Sequence, residues 1–437
     1  MNTKNTGRDT GGTGATRDTG KIGYACVTVG VPGTSMRTCN RRFATEGRLL
    51  EIIAYNLEAL KNQLAYNKAR DILLFRISSD IVPFAGTPIN TLDWTAIFGK
   101  EFNCLSNLIL GSGFRVSMHP GQYTVLNSPD PGVVERAIAD LMWHADFLDA
   151  LGTSRESKIV LHVGGVYGDK SSAMKRFIGR YRLLPDKVRS RLVIENDERS
   201  FSVQDTLSIH DELGVPVVYD SFHREVFEGT RVESHRDLLQ RCARTWAFGD
   251  GRQKIHYSQQ EPEKRKGAHS ETIRTDEFIK FFTSIRDIGP DIMLEVKDKN
   301  LSAVKCLHLI RGRAPHSRLE EEWSRYKYYV MERSPEIYAS IRRLFSGSAS
   351  PSPEDFYLFI EQAGDSEASV GRAENAALHV WGYFSDRAED REKKEFFKRL
   401  EACRDGQASI ESVKKYLFRL AERYDERYLL QSLYFYL

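Results

Sequence analysis

The sequence has few cysteines and lacks long apolar runs. Its 437 residues include six cysteines, which are scattered and form no CxxC pair. This pattern argues against a disulfide framework or a cysteine-rich zinc site and favours a reducing compartment. No stretch has the apolar length of a membrane span, and the N-terminal residues lack the apolar core of a secretory signal. We therefore expect a cytoplasmic protein, associated with the nucleoid if the source is a prokaryote.

An excess of charge of either sign is also missing. The chain has 63 lysines and arginines against 60 aspartates and glutamates, which gives a formal net charge of +3. Any affinity for nucleic acid must therefore come from local patches rather than from the whole surface. Hydrophobic residues make up 41% of the chain, which is ordinary for a globular protein. The length is sufficient for a large domain with an additional module.

Short β-branched segments alternate with amphipathic helical segments between residues 21 and 312. Eight such strand–helix units can be counted, from a first strand at 21–27 to an eighth at 292–296. Alternation of this kind predicts a parallel sheet with right-handed crossovers, and eight units close a (β/α)8 TIM barrel. A doubly wound open sheet is the alternative. It would ordinarily carry a glycine-rich phosphate turn after its first strand, and that turn is missing here.

Several element boundaries can be predicted from local signals. A strand is expected at 115–118, and helices are expected at 94–110 and 203–213. Asp130 and Pro131 have the residue types of a helix N-cap and first helical position.

Two segments flank the predicted barrel. Residues 1–20 are rich in Gly, Thr and Asp without apolar periodicity, which predicts a disordered tail. Residues 313–437 are charged and aromatic, with helical patterns and no strands, and 346–353 has the composition of a linker. The predicted fold class is therefore α/β, a TIM barrel with an all-helical C-terminal extension.

The ends of the predicted strands, together with one loop, carry histidines and carboxylates. Because a parallel barrel brings the C-terminal ends of its strands to one rim, these residues should meet there. Imidazole and carboxylate without thiolate suit Zn²⁺, Mn²⁺ or Fe²⁺. The set exceeds the ligand number of one ion, which indicates a cluster of two or three ions. Its members are His119, His162, Glu195, Asp220, His223, His256, His269 and Glu295. The histidines expected only to pack or to lie on the surface are His144, His210, His235, His308, His316 and His379.

Metal clusters of this kind catalyse in-line displacement at phosphorus. Lys254 lies two residues before His256, so on a strand both side chains face the same side. A charged ammonium would be repelled by cations. Lys254 therefore points into solvent, loses its proton or is chemically modified, and a lysine that merely lies near a phosphate is a further alternative.

The stretch SMHPGQYTVLNSP, residues 117–129, places an aromatic residue beside a candidate ligand. Pro120 and Gly121 should end the strand just past His119. Gln122 and Tyr123 are then expected on a projecting loop.

Taken together, the motifs identify a resemblance. The ordered series IGYACV, FRISSDIVP, SMHPGQY with NSPDP, IVLHVGGVYGDK, LVIENDER, DSFH, KIHYSQ, GAHS and MLEVKDK closely resembles the UV-damage endonucleases, barrel enzymes related to endonuclease IV. The resemblance covers about residues 21–312. It implies a manganese-dependent DNA repair enzyme that acts on UV-damaged double-stranded DNA. Such an enzyme nicks the backbone immediately 5′ of a cyclobutane pyrimidine dimer or a 6-4 photoproduct and leaves a 3′-hydroxyl and a 5′-phosphate.

The resemblance also implies roles for individual residues. One ion is held by His119, His162 and Glu195. A second is held by Glu195, Asp220, His256 and Glu295. A third is held by His223 with His269. The implied catalytic residues are Glu195, Lys254, Asp220 and Glu295, and the lysine at position 254 can be carboxylated in the family.

Contacts with DNA are implied as well. Gln122 and Tyr123 match the pair that wedges into the duplex opposite the damage, and Tyr24 matches a residue that probes the flipped dinucleotide. Phosphates could be neutralised by a basic run, independently of the resemblance. That run is Lys264, Arg265 and Lys266.

Two other functions use similar residues. Metal-dependent sugar isomerases of the same barrel lineage carry a rim of histidines and carboxylates. A non-catalytic scaffold that binds damaged DNA is a third possibility, but binding alone does not need the rim carboxylates. The endonuclease interpretation is preferred, and the protein is expected to act as a monomer without a membrane partner.

Overall fold

A closed parallel barrel forms the first part of the molecule. The computed structural model describes residues 20–229, 233–312, 314–347 and 351–437. The predicted disordered tail lies outside these residues, apart from Gly20. Neighbouring strands are parallel and follow chain order, and the eighth pairs with the first to close the barrel. The strands are β1 (Ile22–Ala25), β2 (Leu74–Ile77), β3 (Arg115–Met118), β4 (Ile159–His162), β5 (Leu192–Glu195), β6 (Val217–Asp220), β7 (Lys254–Tyr257) and β8 (Asp291–Leu294). The predicted TIM barrel is therefore confirmed.

Helices connect the strands and cover the outside of the barrel. Those of the barrel are α1 (Glu46–Ala69), α2 (Trp94–Ile97), α3 (Gly99–Ser112), α4 (Pro131–Ala150), α5 (Lys170–Tyr181), α6 (Asp186–Arg189), α7 (Val203–Leu213), α8 (Ser221–Glu228), α9 (His235–Ala243), α10 (Thr275–Ile285) and α11 (Asn300–Arg311). The predicted cap of α4 is present, because the Asp130 side chain accepts a hydrogen bond from the Gly132 backbone N–H at 2.8 Å. The single helix predicted at 94–110 is wrong. Phe98 leaves helical geometry directly before Gly99 and separates α2 from α3.

The predicted helical extension follows the barrel. Its helices are α12 (His316–Arg333), α13 (Pro335–Ser346), α14 (Pro353–Asp365), α15 (Val370–Trp381), α16 (Asp390–Arg404), α17 (Ile410–Arg423) and α18 (Arg427–Leu430). They enclose one apolar core of their own, in which Trp381 stacks on Phe396 with ring centres 4.4 Å apart, and they share a second apolar core with Leu301 of α11. The predicted linker falls between α13 and α14, with residues 348–350 outside the described ranges. Among the described helices, none combines the length and apolar character needed to cross a membrane.

Strand periodicity decides which side chains face the barrel lumen. Val160, Val193 and Val218, on three adjacent strands, pack together in an apolar cluster separate from the main core beneath the helices. Residues two positions apart on a strand face the same side. The last residue of each of these strands therefore also faces the lumen. These residues are His162, Glu195 and Asp220.

Ion pairs close the opposite, N-terminal end of the barrel. Arg115 Nη1 donates to Asp291 Oδ2 at 2.8 Å, and both side chains are buried. Lys158 Nζ donates to Asp250 Oδ1 at 2.5 Å. Because buried charges need close partners, these ion pairs stabilise the charged groups at the N-terminal end of the barrel. The open rim with its polar groups is therefore the C-terminal end.

Candidate metal centre and active site

Five of the predicted ligands meet at the C-terminal rim of the barrel. His162, Glu195 and Asp220 are the last residues of β4, β5 and β6. His256 belongs to β7, and His119 directly follows β3. Since all the strands run in parallel, their C-terminal ends deliver these side chains to one place.

The Glu195 carboxylate is fully buried and lies between imidazoles. Its Oε2 is 3.2 Å from His119 Nε2 and 3.8 Å from His162 Nε2. Its Oε1 is 2.8 Å from His256 Nδ1 and 3.5 Å from His223 Nδ1. Burial alone would raise the pKa of Glu195, but the imidazoles, His256 foremost, hold it well below its usual range. The two oxygens face different pairs of histidines, which allows one carboxylate to serve two neighbouring cations.

Two groups within the described ranges have the composition and spacing of a metal site. One is His119, His162 and Glu195, the other is Glu195, Asp220 and His256, and the ligand atoms of each group lie within 4.8 Å of one another. Buried polar atoms usually have a hydrogen-bond partner, yet Asp220 Oδ2, His256 Nε2 and His162 Nδ1 have none within the part of the chain that the structure describes. Burial lowers the pKa of His119 to about 4, which keeps that ring neutral. These nitrogen and oxygen donors fit a divalent transition-metal ion.

His223 and His269 lie beside these groups. Their ring centres are 6.2 Å apart, and the ring centre of His223 is 5.7 Å from that of His162. His269 Nδ1 lies 2.8 Å from the main-chain oxygen of Glu295. Burial would lower the pKa of His223, but the carboxylates around it, Asp220 foremost, raise it to about 10. The structure thus places the two histidines together, although neither belongs to a three-ligand group among the described residues.

The Glu295 carboxylate is held by an arginine to which the sequence pattern did not point. Arg76 Nη1 donates to Glu295 Oε1, which also lies 3.3 Å from His256 Nδ1. Burial would raise the pKa of Glu295, but Arg76 holds it below its usual range. Arg76 follows Leu74 by two residues on β2, and Leu74 packs in the lumen. A charge at a lumen position of an apolar strand was the signal that could have identified Arg76.

Lys254 lies deep in the lumen below the rim. Its side chain is buried, and its Nζ has no hydrogen-bond partner among the described residues. Burial, with the nearby guanidinium groups of Arg115 and Arg76, lowers the pKa of Lys254 to about 7. Solvent exposure of this lysine, one of the predicted alternatives, is therefore wrong. An uncharged amine and a modified lysine both fit the burial.

A polar relay from α4 supports the candidate ligand His119. His144, expected to be a packing or surface residue, is fully buried, and its Nε2 lies 2.8 Å from Ser79 Oγ. Ser79 Oγ lies 3.1 Å from the main-chain oxygen of His119. One turn earlier on α4, Asp140 accepts a hydrogen bond from Thr124 Oγ1. Helix α4 therefore fixes both ends of the loop from His119 to Thr124.

The loop that carries Gln122 and Tyr123 projects as predicted. The Tyr123 side chain is 83% exposed. Both residues line a cleft of about 770 Å³ together with His119 and His162. The cleft therefore joins an exposed aromatic ring to the candidate metal ligands.

The position of Tyr24 does not fit the predicted contact with DNA. Its side chain is fully buried, and its hydroxyl donates to Asn67 Oδ1 of α1 at 2.8 Å. Its ring meets Phe75 edge to face with centres 5.1 Å apart. Tyr24 therefore faces the helix layer rather than the lumen, because its position on β1 has the outward phase of the strand. A residue buried between strand and helix has no surface to offer to a nucleotide.

The basic run after β7 is only partly free. Lys264 Nζ donates to Glu271 Oε1 at 2.6 Å. Arg265 and Lys266 are exposed, and neither forms an ion pair with a residue of the described ranges. Two of the three basic residues of the run therefore have no ion-pair partner among the described residues.

Both parts of the chain are similar to known families. Residues 20–321 match the family described as UV-endonuclease UvdE, and residues 327–437 match a family described as a protein of unknown function, DUF1722. The UV DNA damage endonuclease of Clostridium perfringens (strain 13 / Type A) is 34% identical over 411 residues, which are 92% of this chain and 96% of that relative. The putative UV-damage endonuclease of Acanthamoeba polyphaga mimivirus is 36% identical over 298 residues, covering 65% of this chain and 89% of that relative.

A solved structure agrees with these matches. The crystal structure of SacUVDE is similar, with a TM-score of 0.63 and 38% sequence identity. The match covers 67% of this chain and 98% of the SacUVDE chain. The resemblance seen in the ordered motifs is thereby confirmed, and the sugar isomerase alternative is not retained. The chain belongs to the UV-endonuclease UvdE family.

Proposed function

We propose that this protein is a DNA repair endonuclease that hydrolyses the phosphodiester immediately 5′ of a UV photoproduct and leaves a 3′-hydroxyl and a 5′-phosphate. Family membership supports a UV-damage endonuclease. The observation that carries the metal-dependent chemistry is Glu195, whose two oxygens face different histidine pairs. Two divalent cations that share this carboxylate would suit displacement at phosphorus. The proposed substrate is double-stranded DNA with cyclobutane pyrimidine dimers or 6-4 photoproducts.

The rim residues provide three proposed ligand sets. The first is His119, His162 and Glu195, and the second is Glu195, Asp220, His256 and Glu295. The third is His223 with His269. When bound, divalent ions, for which we propose Mn²⁺, supply Lewis acidity that lowers the pKa of water and offsets charge on the phosphate.

The remaining chemistry is the work of the protein's own side chains. In the hydrolysis, a water oxygen bonds to phosphorus and the P–O3′ bond breaks, so O3′ leaves with the electron pair and takes up a proton. Glu195 keeps its negative charge because the imidazoles depress its pKa. Arg76 orients Glu295 through its hydrogen bond. Burial lowers the pKa of Lys254 and so reduces the positive charge that it brings to the site. Carboxylation would remove that charge, and native mass spectrometry would distinguish the free amine from the carboxylated form.

The function can be tested by incubating Mn²⁺-loaded protein with irradiated and unirradiated supercoiled plasmid. Conversion of only the irradiated plasmid to the nicked form is the expected result. Binding to irradiated DNA without nicking would instead support the scaffold. Metal dependence is checked by removing the ions with a chelator and adding back Mn²⁺, Mg²⁺ or Zn²⁺ separately.

Removal of the two projecting side chains is expected to reduce the preference for damaged DNA. A photoproduct weakens pairing and stacking, so the enzyme can extrude the damaged dinucleotide and fill the gap with Gln122 and Tyr123. The double substitution Gln122→Ala with Tyr123→Ala should lower the ratio of affinities for irradiated over intact duplex by about 5- to 150-fold, as loss of one stacked base does. Tyr123→Phe is the control and should keep most of the ratio. An unaltered ratio in the double variant would remove both residues from damage recognition.

Arginines of the loop between β1 and α1 are expected to contact DNA phosphates. Arg41 and Arg42 are exposed at the rim end of the barrel and form no ion pair with a described residue. Each phosphate contact contributes about 0.9 to the slope of log affinity against log salt. The double substitution Arg41→Ala with Arg42→Ala should therefore flatten that slope by about 1.8 for damaged and intact duplex alike. Arg155→Ala with Arg244→Ala, at the opposite end of the barrel, should leave it unchanged. Equal slopes for both double variants would contradict the contact.

A further inference from the structure

Tyr167 presents a second exposed aromatic ring in the cleft. It lies in the loop between β4 and α5, and its side chain is 47% exposed. It lines the same cleft of about 770 Å³ as Tyr123 and His162. Single exposed hydrophobic residues are common and need no special explanation. Its significance therefore depends on how the ring is held.

The Tyr167 backbone adopts a conformation that tyrosine rarely adopts. Its φ angle is +49°, in the left-handed region that favours glycine. Such a conformation costs free energy and persists only where the surroundings impose it, and functional sites are enriched in it. The loop therefore maintains an unfavourable backbone geometry that sets the position of this ring.

The ring itself is supported from behind. A Cβ atom added to Gly165 would come within 3.2 Å of the ring of Tyr167, so the ring packs against the main chain there. The Arg176 guanidinium lies 5.6 Å from the ring centre. Arg176 Nε donates to the main-chain oxygen of Asn127 at 2.8 Å, and Asn127 Nδ2 donates to the main-chain oxygen of Gly165 at 2.8 Å. Asn127 thus links the loop after β3, which carries Tyr123, to the loop that carries Tyr167.

We propose that Tyr167 is a stacking surface for a nucleobase of the bound DNA, separate from Tyr123. The inference rests on the proposed function. An aromatic ring fixed before binding loses little conformational freedom when a base stacks on it. Any base can stack in this way, since each has a flat π-face. The stacking partner is a base rather than a phosphate. The phosphate would lie at His162, a proposed metal ligand in the same cleft, five residues before Tyr167 in the chain. Arg176 adds positive charge behind the ring.

The test uses variants that separate the ring from the strained backbone. Tyr167→Phe keeps the ring, whereas Tyr167→Gly removes it and accepts the left-handed backbone without strain. Tyr167→Asn, which also tolerates this conformation, serves if the glycine variant does not fold. Phe248→Ala is the matched control, because Phe248 is a fully exposed aromatic residue at the opposite end of the barrel.

Affinity is measured by fluorescence anisotropy on a labelled duplex with one cyclobutane thymine dimer, with Ca²⁺ in place of Mn²⁺ and gel confirmation that the DNA stays uncut. A second duplex carries 2-aminopurine next to the dimer, whose fluorescence is quenched on stacking. Tyr167→Gly should bind about 5- to 150-fold more weakly, the effect of losing one base stack, and should lose quenching. Tyr167→Phe and Phe248→Ala should match the unsubstituted protein.

Two failures can be distinguished. If the unsubstituted protein prefers the dimer duplex, and Tyr167→Gly binds and quenches equally well, the inference about Tyr167 is wrong and the proposed function stands. If the unsubstituted protein shows no preference for the dimer over the undamaged duplex, the proposed recognition of photoproducts itself fails.

Discussion

Replacement of Glu195 with glutamine is expected to lower the rate of plasmid incision by about a thousandfold or more, as loss of an essential group of an active site does. The substitution preserves size but removes the charge that lies between two pairs of histidines. Without this shared carboxylate both proposed ligand sets lose a member, so the number of Mn²⁺ ions bound per chain should fall as well. Metal content by plasma emission spectroscopy and incision of irradiated plasmid together check the prediction.

The control for this variant is Glu212→Gln. Glu212 forms an exposed ion pair with Arg182 at 3.2 Å, far from the rim, and its substitution should change neither metal content nor incision. Circular dichroism should show the same fold for both variants. A well-folded Glu195→Gln protein that binds metal fully and nicks at nearly the normal rate would refute the cluster.

Replacement of Glu361 with alanine is expected to lower the free energy of unfolding by about 3–5 kcal/mol. Glu361 belongs to α14, and its Oε1 accepts hydrogen bonds from Lys305 Nζ of α11 at 2.8 Å and from Thr275 Oγ1 of α10 at 2.7 Å. All three side chains are buried. The substitution leaves the Lys305 ammonium buried without its carboxylate, which is costly. Urea denaturation measures the effect.

The contribution of the Lys305–Glu361 ion pair to stability can be separated from that of the packing around it. The double substitution Lys305→Met with Glu361→Leu removes both charges and should recover most of the lost stability. Asp365→Ala is the matched control, because Asp365 pairs with Arg274 at 2.6 Å nearby but is largely exposed. Its loss should cost about 1 kcal/mol or less. A Glu361→Ala protein no less stable than the Asp365→Ala protein would show that the buried pair is unimportant.

The Lys305–Glu361 pair also changes the view of the helical extension. Every candidate metal ligand precedes residue 313, so the sequence alone predicts that a chain without the extension keeps metal binding, provided that the extension covers no barrel surface essential for folding. The structure shows that α14 supplies a buried partner to the barrel. Removal of the extension would expose Lys305 and leave Thr275, at the start of α10, without its acceptor. We therefore expect the extension to contribute to the stability of the barrel.

Local sequence patterns predicted most of the helices and strands and most of the candidate metal ligands at the barrel rim. The strand Arg115–Met118 and the helix Val203–Leu213 were predicted with the bounds that the structure has, because alternation, helical periodicity and capping residues are local signals. The eighth strand was predicted to include Glu295, but it ends at Leu294. The break at Phe98 was missed because an apolar helical pattern continues across it.

The sequence by itself determined the type of fold, the family and the residue types of the candidate metal centre. Strand ends can be located in the chain, and parallel strands must deliver them to one rim. Only the tertiary structure decided which side chains from distant positions contact each other. Arg76 and Glu295 are 219 positions apart, and Lys305 and Glu361 are 56 apart. The phase of β1, which turns Tyr24 outward, likewise depends on how the strand docks into the sheet. Contacts of this kind arise from packing between distant segments, and a local pattern does not record them.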